Sequence, residues 1–249
     1  MDTNQDIVLI RGLIREARHW GDFTSVLSQQ FPNATIHTPE IPGNGRLHYL
    51  TSPTTIAGMT EILRDQVSAR KQLNLIGISM GGMIAIDWMS RYSTEVKTAV
   101  LINTSIRSVS PFYQRLRWQS YPAIIKILLL PKSQREQEIL ALTSNQHTHD
   151  DEVLNSWLQW QQQYPVSARS AGNQLLAANR FTIINKPTQP ILIITSTADR
   201  LVDYRCSLKL CNIWQTMYRQ HNSAGHDLSL DAPDWLANQI SNWLSSIQS

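Results

Sequence analysis

The sequence predicts an α/β fold: about six mostly parallel strands flanked by helices, with a helical insertion after the fourth strand. Three observations predict it. Short apolar runs rich in β-branched residues recur without polar alternation, helical stretches separate them, and the alternation lapses once, over residues 106–184. Short apolar runs that do not alternate suit strands buried on both faces. Strand and helix taken in turn give crossover connections and a parallel sheet covered on both sides.

In chain order, strands are expected at 7–10, 34–37, 73–78 and 98–102, with helices at 20–31, 54–70 and 80–92 between and after them. After the insertion come a strand at 191–195, a helix at 204–214, a weaker strand at 216–219 and a last helix at 234–247. That last helix follows Asp231-Ala232-Pro233-Asp234, which places capping and first-turn residues correctly. Its Trp235, Ile240, Trp243, Leu244 and Ile247 form an apolar stripe. The interrupting segment has helix-like stretches at 112–130, 134–142, 151–164 and 167–179. It is too long for a plain loop and too apolar to be disordered. Residues 1–105 and 185–249 are therefore expected to form the core, and 106–184 a helical insertion over one end of the sheet.

The composition excludes several classes. The chain has 249 residues, 42% hydrophobic and 16% charged, with a formal charge of +3. A chain of this size buries enough surface to fold without staples. Its 22 Lys and Arg are spread beside 19 Asp and Glu with no basic block, so a nucleic-acid partner is not expected. Cys206 and Cys211 lack the paired spacing of a zinc site and cannot make a disulfide framework, which suits a reducing compartment. The longest apolar run, 124–130, is interrupted by Lys126, and residues 1–6 are polar and acidic. Neither a membrane span nor a signal peptide is expected, and the expected location is the cytoplasm.

The chemistry concentrates where the strand at 73–78 runs into Gly77-Ile78-Ser79-Met80-Gly81-Gly82. This is G-x-S-x-G between a strand and a helix, the context in which the turn exposes a serine hydroxyl beside free N–H groups at a helix N-terminus. A serine hydroxyl is a poor nucleophile unless an imidazole takes its proton and a carboxylate holds the imidazole's tautomer. On such an elbow the acid and the histidine follow in chain order, each in a loop after a later strand. Asp199 and His226 fall there, after the strands at 191–195 and 216–219. Asp199 also suits a turn or a cap. Asp203 is the rival acid, but its place at the start of a helix is explained by capping. His221 is the rival base, but it sits at a strand's own end. For the oxyanion, Met80 N–H follows the nucleophile, and Leu13 N–H in the loop after the first strand is the second candidate donor.

Together these residues resemble the α/β-hydrolase superfamily, specifically its compact, helical-capped, esterase-like bacterial members. The resemblance runs over the whole chain: Arg11-Gly12-Leu13, the turn Pro42-Gly43-Asn44-Gly45, the elbow, Ala198-Asp199-Arg200-Leu201-Val202 and Gly225-His226-Asp227-Leu228. It implies the α/β-hydrolase fold and the triad Ser79, Asp199 and His226. The sequence departs from the family twice. Arg11 stands where the oxyanion loop usually has histidine, so a permanent cation lies near the site, contacting substrate, bracing the loop through carbonyls or lying solvated. The family's usual first two strands are also not expected here, because the first expected strand starts at residue 7.

The expected function is hydrolysis of carboxylic esters or thioesters with an apolar acyl or aryl group. C–C bond hydrolysis, lactone opening or a lyase reaction on the same triad remain open, as does a non-catalytic ligand receptor. No phosphate- or dinucleotide-binding motif is present and no cofactor is expected. His147, His149, Asp150 and Asp151 read as a loop with an acidic helix start, so no metal is assigned. The insertion offers Phe112, Tyr113, Trp118, Tyr121, Trp157, Trp160 and Tyr164. Of these, Trp118, Trp157 and Trp160 are the substrate-binding candidates beside Arg11. Arg107, Arg115, Arg117, Lys132 and Arg135 are candidates to meet an acidic acyl carrier or a coenzyme A thioester, or form a solvated face.

Overall fold

The computed structural model describes residues 5–67 and 72–247. Its elements run β1 (Asp6–Ile10), α1 (Phe23–Gln30), β2 (Thr35–His37), α2 (Ile56–Asp65), β3 (Leu73–Ile78), α3 (Met80–Arg91) and β4 (Val96–Ile102). Between β4 and β5 lie α4 (Phe112–Arg115), α5 (Tyr121–Leu129), α6 (Lys132–Thr143), α7 (Asp151–Gln163) and α8 (Ala168–Arg180). β5 (Ile191–Ser196), α9 (Arg205–Trp214), β6 (Met217–His221), α10 (Leu228–Asp231) and α11 (Pro233–Ser246) complete the chain.

All strand pairs are parallel, in the order β2-β1-β3-β4-β5-β6. The side chains of β1 show why its run does not alternate. Val8 and Ile10 pack into one apolar layer with α2, α3 and α9, and Ile7 and Leu9 into the other with α1 and α11. A strand covered on both faces has no polar face to display. Two turns of the chain order, β2-β1 and β3-β4, run outward from the β1–β3 pair. The carboxyl ends of β1 and β3 therefore lie side by side where the order reverses, the position at which open α/β sheets place their ligands.

The sequence reading needs three corrections of detail. The helix expected at 20–31 is a short 3-10 turn at Ala17–Trp20, a break at Gly21 with φ +52°, and then α1. The helix expected at 54–70 ends at Asp65, and residues 68–70 lie outside the described residues. The stretch 112–130 is α4, a 3-10 turn and α5, because Leu116 is extended and Arg117 N–H bonds the Leu201 carbonyl at 2.9 Å. The two thiols lie buried in α9 and are unlinked.

Candidate active site

β3 delivers Ser79 at the head of α3 with φ +57° and ψ −119°, a region a serine occupies only under constraint. The constraint is crowding. A Cβ on Gly77 would fall onto the Gly81 carbonyl, and one on Gly81 onto the Ile10 carbonyl, so the elbow closes only with glycine at both places. Ser79 N–H bonds the Ile102 carbonyl at 2.8 Å, which ties the turn to β4. Gly12 lies against the Ser79 side chain. Thus the loop after β1 meets the serine directly.

Asp199 follows β5, and His226 follows β6. Asp199 Oδ1 accepts from Leu201 N and Val202 N at 2.7 and 2.9 Å, while Oδ2 meets His226 Nδ1 at 2.7 Å. The turn role and the histidine-holding role therefore belong to one carboxylate. Burial pushes the His226 pKa down, but the charge of Asp199 and its hydrogen bond outweigh burial and leave the imidazole above its ordinary value. With Nδ1 engaged, Nε2 is the free ring nitrogen. Among the described residues neither it nor Ser79 Oγ has a hydrogen-bond partner.

The rivals are placed elsewhere. Asp203 pairs with Arg205 and accepts from its backbone N–H at 3.0 Å at the start of α9, as a capping carboxylate does. His221 stacks edge-on against Trp235 with ring centres 4.8 Å apart, and its Nδ1 accepts from Ala224 N. Among the described residues Leu13 N–H has no partner, and Met80 N–H, first in α3, has none within its helix.

Arg11 requires a correction. It is buried, and its two terminal nitrogens bond Asp227 Oδ1 and Oδ2 at 3.1 and 2.6 Å and Ser229 Oγ at 3.0 Å. Its partners are a side-chain carboxylate and a hydroxyl rather than loop carbonyls or solvent. A guanidinium taken out of water needs a carboxylate in bidentate contact, and Asp227 is the one within reach. Asp227 is correspondingly held below the usual carboxylate range: burial raises it, and the Arg11 charge and hydrogen bond overcome that. The pair ties the end of β1 to the residue after His226. Asn103, at the end of β4 with φ +48°, makes the matching tie on the other side. Its Nδ2 donates to the His226 carbonyl at 2.8 Å and its Oδ1 accepts from Ser196 N at 2.9 Å. Nothing in the sequence marked Asn103 except its place after a strand. Asp227 was adjacent to a singled-out histidine and invited a partner for Arg11.

A cavity of about 220 Å³ lies between the insertion and the core, bounded by Ile14 and Arg15 from the loop after β1. Trp157, Trp160 and Tyr164 line it together with Leu128 and Ile139. Trp157 also holds the Arg15 guanidinium 4.2 Å from its ring centre, and Trp160 meets His19 edge-on. Trp118 requires a second correction. It is 62% exposed and outside the cavity lining, because the bonds of Arg117 and Ser120 to the acid loop seat its backbone there and leave the indole in solvent. Of the five cations expected to form an acidic-partner face, three are engaged within the fold, and the Lys132 side chain lies outside those described. Arg115 donates to the Ala178 carbonyl, Arg117 to Asp199 O and Arg135 to Leu130 O. Arg107 is exposed. His147 pairs with Asp150, whose side chain caps α7.

The comparisons agree with this geometry. A pimeloyl-[acyl-carrier protein] methyl ester esterase from Chromobacterium violaceum is 30% identical over 106 residues, 42% of this chain and 39% of the relative, so the match spans about two fifths of that protein's length. Among solved structures, the enol-lactonase from Burkholderia xenovorans superposes with a TM-score of 0.78 at 17% identity, covering 98% of this chain and 92% of its own. An esterase from a Rhodococcus species gives 0.76 at 14% identity, with 99% and 92% covered. At such identities these likenesses speak for the fold. The sequence pattern described as the alpha/beta hydrolase family matches residues 7–239, nearly the whole length over which the sheet, the elbow and the two later loops are built. The chain belongs to the alpha/beta hydrolase family of enzymes.

Proposed function

We propose that this enzyme hydrolyses small carboxylic esters or thioesters through an acyl-enzyme on Ser79. His226 Nε2 takes the Ser79 proton as Oγ attacks the carbonyl, and then gives it to the leaving alcohol or thiol. Asp199 keeps the proton of neutral His226 on Nδ1 and stabilises the imidazolium as it forms. Leu13 N–H and Met80 N–H receive the oxyanion. A water deprotonated by the same histidine releases the acid. The strongest support is the 2.7 Å contact between His226 Nδ1 and Asp199 Oδ2, made across two separate loops, together with the strained backbone of Ser79 at φ +57°.

The insertion acts in this reading as a cap over the site. The cavity beneath it is lined by Trp157, Trp160 and Tyr164 but also by Arg15, Glu16, Arg135 and Glu136, and by none of Ser79, Asp199 and His226; its aromatic rings support an acyl or aryl group as the guest. The relative named for a methyl ester of a carrier-bound acyl group favours ester over C–C cleavage. An acidic acyl carrier has weaker support, since Arg115, Arg117 and Arg135 are engaged with carbonyls of this chain.

The test is covalent labelling with a fluorophosphonate, followed by turnover of a series of p-nitrophenyl acyl esters. Wild type is expected to take one label, on Ser79, and to hydrolyse the series, and Ser79→Ala to do neither. Labelling undiminished in Ser79→Ala refutes the assignment.

A further inference from the structure

We infer that Gln174, on α8 of the insertion, is a positioning residue for the oxyanion-binding loop, and that it holds Leu13 N–H in place through the next peptide unit. The inference rests on the serine-hydrolase reading above. Ile14 stands at φ +54°, a conformation costly for a β-branched residue and kept only where the surroundings impose it. Gln174 supplies that imposition. Its Oε1 accepts from Ile14 N at 2.8 Å, which fixes the Leu13–Ile14 peptide plane one unit beyond the candidate oxyanion donor.

The amide itself is locked. Gln174 has no exposed surface, and its Nε2 donates to Asn44 Oδ1 at 2.7 Å and to Ser52 Oγ at 3.0 Å. These two bonds leave only the oxygen for Ile14, so the orientation of the amide follows from its partners. Asn44, also fully buried, extends the hold by donating from Nδ2 to the Arg15 carbonyl at 2.9 Å. Both the N–H of Ile14 and the C=O of Arg15 are thus gripped by side chains joined through Gln174. Leu13 N–H, between them and Gly12, is left open. The loop that receives the oxyanion is held by the insertion, so seating of α8 and formation of the hole are one event.

The insertion is also attached nearby by a bond that avoids this loop: Asn173 Nδ2 donates to the Ser52 carbonyl at 2.8 Å. This separates a positioning role from simple attachment. In Gln174→Met the volume stays and the Ile14 bond goes. The expected result on p-nitrophenyl butyrate is a kcat lower by about 10- to 100-fold with KM within about threefold, since an oxyanion donor acts on the transition state rather than on bound substrate. Asn173→Ala should keep kcat within about threefold. A kcat for Gln174→Met equal to wild type, or an equal fall in Asn173→Ala, overturns the inference. A reading that needs no variant is amide exchange of the wild-type protein. Ile14 N–H should exchange at least about tenfold more slowly than Leu13 N–H, and equal rates overturn the inference. A wild type that neither takes the fluorophosphonate nor turns over the ester overturns the serine-hydrolase reading, and the mechanistic role of Gln174 falls with it.

Discussion

Asp199 shows how much one side chain settles at the residue scale. Its two oxygens face different tasks, Oδ1 taking two backbone N–H groups of its own loop and Oδ2 the imidazole of His226. In Asp199→Asn the amide oxygen can keep the two N–H bonds, and the amide nitrogen then faces Nδ1 as a donor. That forces the proton onto Nε2, the nitrogen that acts as base in the proposed mechanism. We expect kcat to fall by about 10³–10⁴ with little change in Tm. Asp203→Asn, which alters only the pair with Arg205 at the head of α9, should leave kcat within about threefold. Steady-state kinetics on one ester checks both, and the reverse ranking would move the acid to Asp203. Activity should also follow pH in one direction. The His226 pKa is raised above 6.5, and only the neutral ring is a base, so kcat/KM should climb with pH through a midpoint above that value. A midpoint below it would contradict the Asp199 contact as the dominant influence.

The elements of the core follow local signals, and those of the insertion are joined to the core by long-range bonds. The elbow was readable because G-x-S-x-G sits between a strand and a helix: Gly77 is forced by the backbone of its own turn at Gly81, although Gly81 is forced by the Ile10 carbonyl of the neighbouring β1. By contrast, the break between α4 and α5 combines a local signal, Pro122 in the first turn of α5, with a distant one: Arg117 bonds Leu201, 84 positions away, and the chain straightens to reach it. α6 is attached similarly. Arg15 Nη1 meets Glu136 Oε2 at 2.8 Å with both side chains 9% exposed, so the pair is desolvated. Glu136→Gln leaves a buried guanidinium without its counter-charge, which costs about 3–5 kcal/mol when a buried pair is broken. For a chain of this size that lowers Tm by roughly 6–20 °C. Differential scanning calorimetry measures it, and a drop under about 2 °C would show that water reaches the pair.

At the scale of the whole molecule, buried titratable groups make stability depend on pH in a way no single element predicts. Glu40 is the clearest case, with burial raising its carboxyl from 4.5 to about 7. A raised folded value means that the native state holds its proton more tightly than the unfolded chain. The stabilisation is whole below pH 4.5 and is lost as pH rises toward and past 7. Gln at this position keeps an oxygen for Ala17 N–H and never ionises. Relative to wild type, Glu40→Gln should therefore gain stability between those two pH values, by roughly 3 kcal/mol. Urea unfolding at several pH values checks this, and a constant difference would refute it. What the sequence alone determined is what short-range chemistry dictates: the strands and their parallel pairing from apolar runs alternating with helices, the elbow from its motif, and the candidates Ser79, Asp199 and His226 from residue type and chain order. The tertiary structure decided the rest, because the partners are distant in sequence and carry no local pattern. Arg11 chose Asp227, 216 positions on, over solvent or substrate. Asn103 joined the end of β5 to the loop after β6, and Gln174 reached Ile14 from α8, 160 positions on. A buried polar group must be satisfied, but by whom is fixed only when the chain has folded around it.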